Sequence, residues 1–417
     1  MRKLLSVFLA VSLFVGMGSF ALAEDVTIKL SHNKVEIDSA IQAFAKAYSD
    51  ATDGVTVEIE TIGGGADYAG SLKAALQSGS LPDIFVIEGP GNYEVWKEYI
   101  ADLSDQPWVS DTDVAFTLDG KVYGFPVAVE GFGLAYNGEI LEKAGIDPAT
   151  LTNINAVREA FETIDGMKDE LGLNAVVSMA ASIVGGMTWV TGNHNFSVYL
   201  GVGLENNDTS IIDMFNAGEV DADRLAQYTE YVKLLFDYAD QDVLLNGNYD
   251  SQVASFAEGK TAFLHQGNWV DPNLAQLGVE FPCGYIPHAF MEEDTPGLLL
   301  FAPSFYCVNS QSPNAQAAKD FLTYMATTPE GADYMVNQAG MIAAFKSVTE
   351  EPAGQLSQAL VKAQAAGGNY GVFFGQMPDG FGMNVLGPIF ELLGQNVIDE
   401  ATFASMVADE IAAVPNM

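Results

Sequence analysis

Side chains able to do directed chemistry stand, in this chain, just past short apolar runs that read as strands. Between Phe256 and Trp269 (FAEGKTAFLHQGNW), Gly259 suits the left-handed position that ends a helix, Thr261-Ala262-Phe263-Leu264 is an apolar run of strand length, and Gly267-Asn268-Trp269 follows it. His32 and Asn33 follow the run Val26–Ser31, Glu88 follows Ile84–Ile87, and Glu130 interrupts an apolar stretch between Val129 and Gly131. The carboxyl ends of strands in an open α/β sheet are where ligands bind. A flat ring offers its face to C–H patches, and carboxylates and amides accept or donate in fixed directions, a combination suited to a neutral, hydroxyl-rich molecule. Each residue also has a plainer use: Trp269 in a core, Glu130 as a structural acceptor, Glu88 at the N-terminus of a helix starting near Gly91.

Other chemistries find no support in the spacing. Gly259-Lys260-Thr261 would complete a phosphate loop only with Gly at 254, which is Ala254, and Gly63-Gly64-Gly65 reads as a turn rather than part of a dinucleotide fingerprint. His32, His194, His265 and His288 are dispersed, and Asp111, Asp113 and Asp119 lack the calcium-loop spacing, so neither a metal nor a cofactor is expected.

The elements that must position these groups follow from periodicity. Val26–Ser31 alternates; Ile37, Ile41, Phe44 and Tyr48 recur at helical spacing until Gly54; Val55–Ile59 is a second strand; Tyr68, Leu72 and Leu76 mark a helix ended by Gly79; Ile84–Ile87 is an unbroken apolar strand. This β-α-β-α-β order implies a parallel sheet with helices on both faces. From Glu139 to about Ala257 the pattern is mostly helical, strand-like stretches return at 261–264, 279–286 and 298–308, and helices resume from Asn314, broken by a Gly-rich passage at 367–382. No linker or internal repeat divides the chain, so two lobes of this combined size would be interwoven by several crossings.

The composition narrows the partners. With 17 basic against 55 acidic side chains and a formal charge of −38, the chain repels phosphate backbones and anionic lipid, so nucleic acid is excluded. Arg158 and Arg224, both in segments that read as exposed helix, are the only arginines beyond Arg2, which disfavours ligands rich in phosphate or carboxylate. Arg2-Lys3, an apolar run from Leu4 to Leu22 and Ala21-Leu22-Ala23 before Glu24-Asp25 read as a cleaved secretory signal over residues 1–23, with no lipoprotein Cys beside it. That implies a periplasmic location. Cys283 and Cys307 then fit either one disulfide or two buried thiols.

Five motifs occur in a shared order. Pro82-Asp83-Ile84-Phe85, Gly120–Pro126 (GKVYGFP), Glu130–Asn137 (EGFGLAYN), the Phe256–Trp269 segment, and Ser312-Pro313-Asn314-Ala315 with Ala318, Phe321-Leu322 and Pro329-Glu330-Gly331 resemble the extracellular solute-binding proteins of sugar ABC transporters, over Val26 to about Met406. The resemblance is to the maltose- and oligosaccharide-binding branch. It implies an α/β, two-lobed periplasmic-binding-protein fold, each lobe a mainly parallel sheet flanked by helices. One lobe would hold 24–129 plus about 303–340, the other 130–302 plus about 341–417, with a ligand cleft between. It implies Trp269 and Phe381 as stacking platforms, Glu130 as a hydroxyl acceptor at the first crossing, and contacts from Trp189, His194 and Asn195. The family's contacts after the PDI strand fall here on Ile87 and Pro90, and its usual C-terminal Trp is Phe381, which makes Tyr93, Trp96, Phe373 and Phe374 candidate substitutes. The implied function is non-enzymatic: a monomer that captures a carbohydrate by hinge closure and delivers it to membrane ABC permease subunits. A receptor for a cationic amine or polyamine, and a secreted glycoside hydrolase using Glu130 and Glu88, are the alternatives.

Overall fold

The computed structural model describes residues 25–417. The segment read as a secretory signal lies outside the described residues. The strands of the first sheet begin with β1 (Val26–His32), β2 (Val55–Thr61), β3 (Ile84–Ile87), β4 (Phe116–Leu118) and β5 (Lys121–Pro126). The next are β6 (Glu130–Phe132), β7 (Leu134–Asn137), β8 (Val177–Ser178), β9 (Phe263–Leu264), β10 (Cys283–Ile286), β11 (Leu299–Phe301), β12 (Phe305–Val308) and β13 (Tyr370–Gly371).

The β-α-β-α-β opening forms as its periodicity predicts. Helices Asp38–Ala51 and Tyr68–Gln77 join β1, β2 and β3, which pair in parallel, and Ile37, Ile41, Phe44 and Tyr48 are all buried. The sheet order β2-β1-β3-β12-β5-β4 shows the chain returning late: β12 inserts antiparallel between β3 and β5.

Past Phe132 the strands are shorter and pair both ways. In β10-β7-β9-β8 only β8 and β9 run parallel, and in β13-β11-β6 only β11 and β13 do. The apolar run 298–308 likewise splits: Ala302-Pro303-Ser304 separates β11 from β12, which belong to different sheets. Pro303 has no N–H to extend a ladder.

Two large cores result. One gathers Ile28 through Ala128 with Tyr306 through Phe345; the other gathers Phe132 through Leu299 with Leu356 through Val414. Between them, Val129 bridges Ile342, and Leu298, Ile342 and Leu360 form a small separate cluster.

Cys283 and Cys307 are both free thiols, which removes the disulfide alternative. They stand on β10 and β12, in different sheets and against different cores, with Cys307 sealed among Ile87, Phe305 and Trp96. Arg224 also departs from its expected exposure. It is buried, donating Nε to Tyr199 O and Nη2 to Val202 O, each at 2.6 Å, where helix Phe196–Gly201 ends. Arg158 is on the surface as expected, paired with Glu230 at 2.7 Å. Among the described residues no helix is long and apolar enough to cross a membrane.

Candidate functional site

Trp269 is placed by the two residues before it. Gly267 leaves room for the indole, since a Cβ there would run into the ring. Asn268 ties the turn to β6 and to the helix Gln355–Ala366: its Oδ1 accepts from Gly131 N–H at 3.0 Å and its Nδ2 donates to Ser357 Oγ at 3.1 Å. The indole N–H donates to Gln266 Oε1 at 2.8 Å, and the ring packs on His194 and, edge-on, against Phe132, at centroid distances of 4.8 and 6.3 Å. The ring therefore belongs partly to the core, with 9% of the residue exposed.

That remaining surface faces a cavity of about 450 Å³ between the two cores. From the first core's side come Asn33, Lys34, Asp67, Glu88, Asn92 and Trp96; from the second, Trp189, Asn193, His194, Tyr249, Phe374 and Asp379, with Glu130 at the crossing. A second hollow of about 470 Å³ beside Arg158 and Glu400 is an open surface groove with the Arg158–Glu230 pair in it, and none of the strand-end residues reaches it.

Seven of the nine residues expected to meet a ligand line the cavity: Glu130, Trp269, Phe381, Asn33, Glu88, Trp189 and His194. Phe381 does so with only 2% exposure, held edge-on by Phe215 at 5.1 Å, which leaves little of its face to act as a platform. His32 and Asn195 do not line it. His32 is buried beside Thr61 Oγ1 at 2.8 Å, and burial lowers its pKa to about 4, Lys34 adding to the effect and Asp38 opposing it. Asn195 is sealed in a π-helical turn, where its Oδ1 accepts from Tyr228 OH at 2.7 Å. Of the substitutes for the missing platform, Trp96 and Phe374 reach the cavity, while Tyr93 and Phe373 are packed into the cores.

Glu88 does not cap the helix Pro90–Trp96. Its carboxylate points to Asn33 Nδ2 at 3.5 Å, while its backbone N–H donates to Asn92 Oδ1 at 2.9 Å. Burial pushes its pKa up to about 7, against the pull of Lys34 and Asn33, with Asp379 and Glu130 adding to the rise.

The residue that sequence reasoning passed over is Lys34. It is buried, ion-paired with Glu130 and 3.5 Å from Glu36, and all three side chains retain about a tenth of their exposure. Burial works against its ammonium, but Glu130 and Glu36 outweigh it and raise the pKa; Glu36 is raised by burial, partly offset by Lys34. The signal was available: Lys34 follows β1 beside Asn33, at the same strand end. Tyr249, whose OH donates to Asn273 Oδ1 at 3.0 Å, sits on a helix and had no comparable marker.

The profile of the bacterial extracellular solute-binding proteins matches residues 40–376. This chain belongs to that family. Among characterised relatives of this solute-binding protein, the melibiose/raffinose/stachyose-binding protein MelE of Bacillus subtilis is 25% identical over 321 residues, 73% of this chain and 70% of MelE. The maltotriose-binding protein of Pyrococcus abyssi is 22% identical over 303 residues, 69% of this chain and 60% of that protein. Among solved structures, a Bacillus licheniformis sugar transporter protein in complex with stachyose superposes with a TM-score of 0.75 at 18% identity, covering 93% of this chain and all (100%) of that one. RafE in complex with raffinose gives a TM-score of 0.69 at 15% identity, covering 94% of this chain and 100% of that one. The two-lobed periplasmic-binding-protein fold is thereby established.

Proposed function

We propose that this solute-binding protein is a periplasmic receptor that captures a neutral carbohydrate, an oligosaccharide of a few units, by closing its lobes and hands it to the subunits of a membrane ABC permease. One observation carries the choice of ligand: the cavity pairs aromatic surface from Trp269, Trp189, Tyr249 and Phe374 with carboxylates that already hold their cation, Lys34 between Glu130 and Glu36. A cationic amine would find that position filled. The sugars named for MelE and the maltotriose-binding protein agree with this reading. The protein acts as a monomer, with its signal segment removed on export.

The lobes of this reading follow the two cores: 25–129 with 303–345, and 130–302 with about 356–417. Met341, Ala344 and Phe345 pack into the first core, which supports a last crossing between Phe345 and Leu356. As a hydrolase pair, Glu130 and Glu88 fit poorly, because a carboxylate held in an ion pair with a buried ammonium is poorly placed to transfer protons or attack.

Thermal stabilisation by raffinose, stachyose and maltotriose, set beside spermidine as the cationic probe, tests the proposal. Stabilisation by a sugar without release of smaller sugars is expected. A response to spermidine alone, or turnover of the glycan, would overturn it.

A further inference from the structure

The two lobes also touch each other directly, through residues of the segment Phe374–Gly380 and the facing ends of first-lobe elements. Asp379 accepts from Asn92 Nδ2 at 2.7 Å and pairs with Lys73 Nζ at 2.8 Å; Lys73 and Asn92 stand on the helices Tyr68–Gln77 and Pro90–Trp96. The Asp379 segment is anchored to the second core by Phe373, Phe374, Met377 and Phe381. Close approach is built into the backbone at the same place. A Cβ on Gly89 would lie 2.8 Å from Gly375 O, and one on Gly91 would run into Met377 O. A Cβ on Gly65 would likewise lie 3.1 Å from Gly186 Cα.

We propose that Asp379, Asn92 and Lys73, seated by Gly91, form a clasp that holds the lobes together through protein-to-protein contact, so that the closed form is populated without ligand and the clasp sets part of the ligand affinity. This rests on the hinge-closing receptor reading above. The contact has the strength such a role requires. Asp379 keeps 14% of its side-chain exposure and Lys73 49%, so the ion pair is half solvated and weak, while the bond from Asn92 to a carboxylate is the firmer of the two. Together they bias an equilibrium without locking it, which leaves release possible. Asn92, Lys73 and Asp379 also line the cavity, so their positioning role, holding the lobe that carries Trp269 over the lobe that carries Glu88, is isolated by Gly91, which does not.

The clasp can be removed or wedged. Asp379→Ala deletes the acceptor. Gly91→Ala leaves the cavity lining unchanged and favours the helix in which it stands, yet its methyl group cannot coexist with Met377 O in the closed arrangement. Small-angle scattering of the full-length mature protein without sugar is the deciding readout. The wild type is expected to be compact, with both variants showing a larger radius of gyration at undiminished helicity. If Gly91→Ala fails to fold, Asp379→Ala carries the comparison. Raffinose affinity should fall roughly three- to tenfold in both variants, mainly through faster dissociation. A wild type as expanded as the variants would overturn the clasp. Failure of the wild type to bind raffinose or any other saccharide would instead refute the carbohydrate reading, and the scattering comparison would still decide the clasp.

Discussion

Lys34→Met is the most informative perturbation, because it tests whether the floor of the cleft is a buried ionic cluster or a wet one. The side chains of Lys34, Glu36 and Glu130 retain 10%, 10% and 8% of their exposure, which puts the cluster in the regime of buried charge and outside that of surface pairs. Removing the ammonium leaves two carboxylates facing each other with their cation gone, at a cost of about 3–5 kcal/mol at neutral pH. The loss should depend on pH with a definite sign. Burial already raises the pKa of Glu36, and removing Lys34 takes away its main offset, so the variant regains stability as pH falls towards the ordinary carboxylate range and loses it as pH rises. Urea unfolding followed by tryptophan fluorescence, at several pH values, measures this. The triple replacement Lys34→Met, Glu36→Gln, Glu130→Gln should recover most of the deficit, since it leaves no unpaired charge. A Lys34→Met variant within about 0.5 kcal/mol of wild type, at every pH, would refute the buried cluster and with it the argument that the cleft rejects cations.

Other consequences are separately measurable. Glu88, with a pKa raised by burial to about 7, contributes stability that is complete below about pH 4.5 and is lost as pH rises through 7, so Glu88→Gln should match wild type near pH 5 and exceed it near pH 8 in urea midpoint; a difference independent of pH would place the carboxyl in water. Trp269→Ala should abolish stabilisation by the cognate sugar and, because the indole is packed on Phe132 and His194, also cost roughly 3–5 kcal/mol of stability. Retained calorimetric affinity in a folded Trp269→Ala protein would remove the indole from the site. With a formal charge of −38, the unliganded protein should melt at higher temperature as salt screens its self-repulsion, while neutral sugar affinity barely changes. Affinity that falls steeply with salt would point to a charged ligand.

What could be read from the sequence was what periodicity controls. The three parallel strands of the first sheet, their helices, and the position of Asn33, Glu88, Glu130 and Trp269 at strand ends all follow from short-range pattern. Direction at a strand end is a finer matter. His32 and Asn33 are neighbours, yet His32, the last residue of β1, turns inward to Thr61 on the adjoining β2, while Asn33, already past the strand, meets the cavity together with Lys34. Arg224 is buried for another reason: the end of helix Phe196–Gly201 leaves carbonyls without partners, and a guanidinium from the helix Ala222–Asp237, 22 and 25 residues on, satisfies them.

Lys34 shows why charge composition misleads about a site. A chain with 55 acidic and 17 basic side chains reads as a trap for cations. The cleft is different because one of those few basic groups is folded into it, and its partner Glu130 lies 96 residues away at the crossing between lobes. Asp379 repeats the pattern at the cleft mouth, where Lys73 is 306 residues distant. Both acidic groups are matched only by tertiary structure, so the net charge that repels polyanions at long range says little about the ligand at short range. At contact distance, with cations already supplied by the protein, hydroxyls and C–H faces are what the remaining acceptors and rings can use.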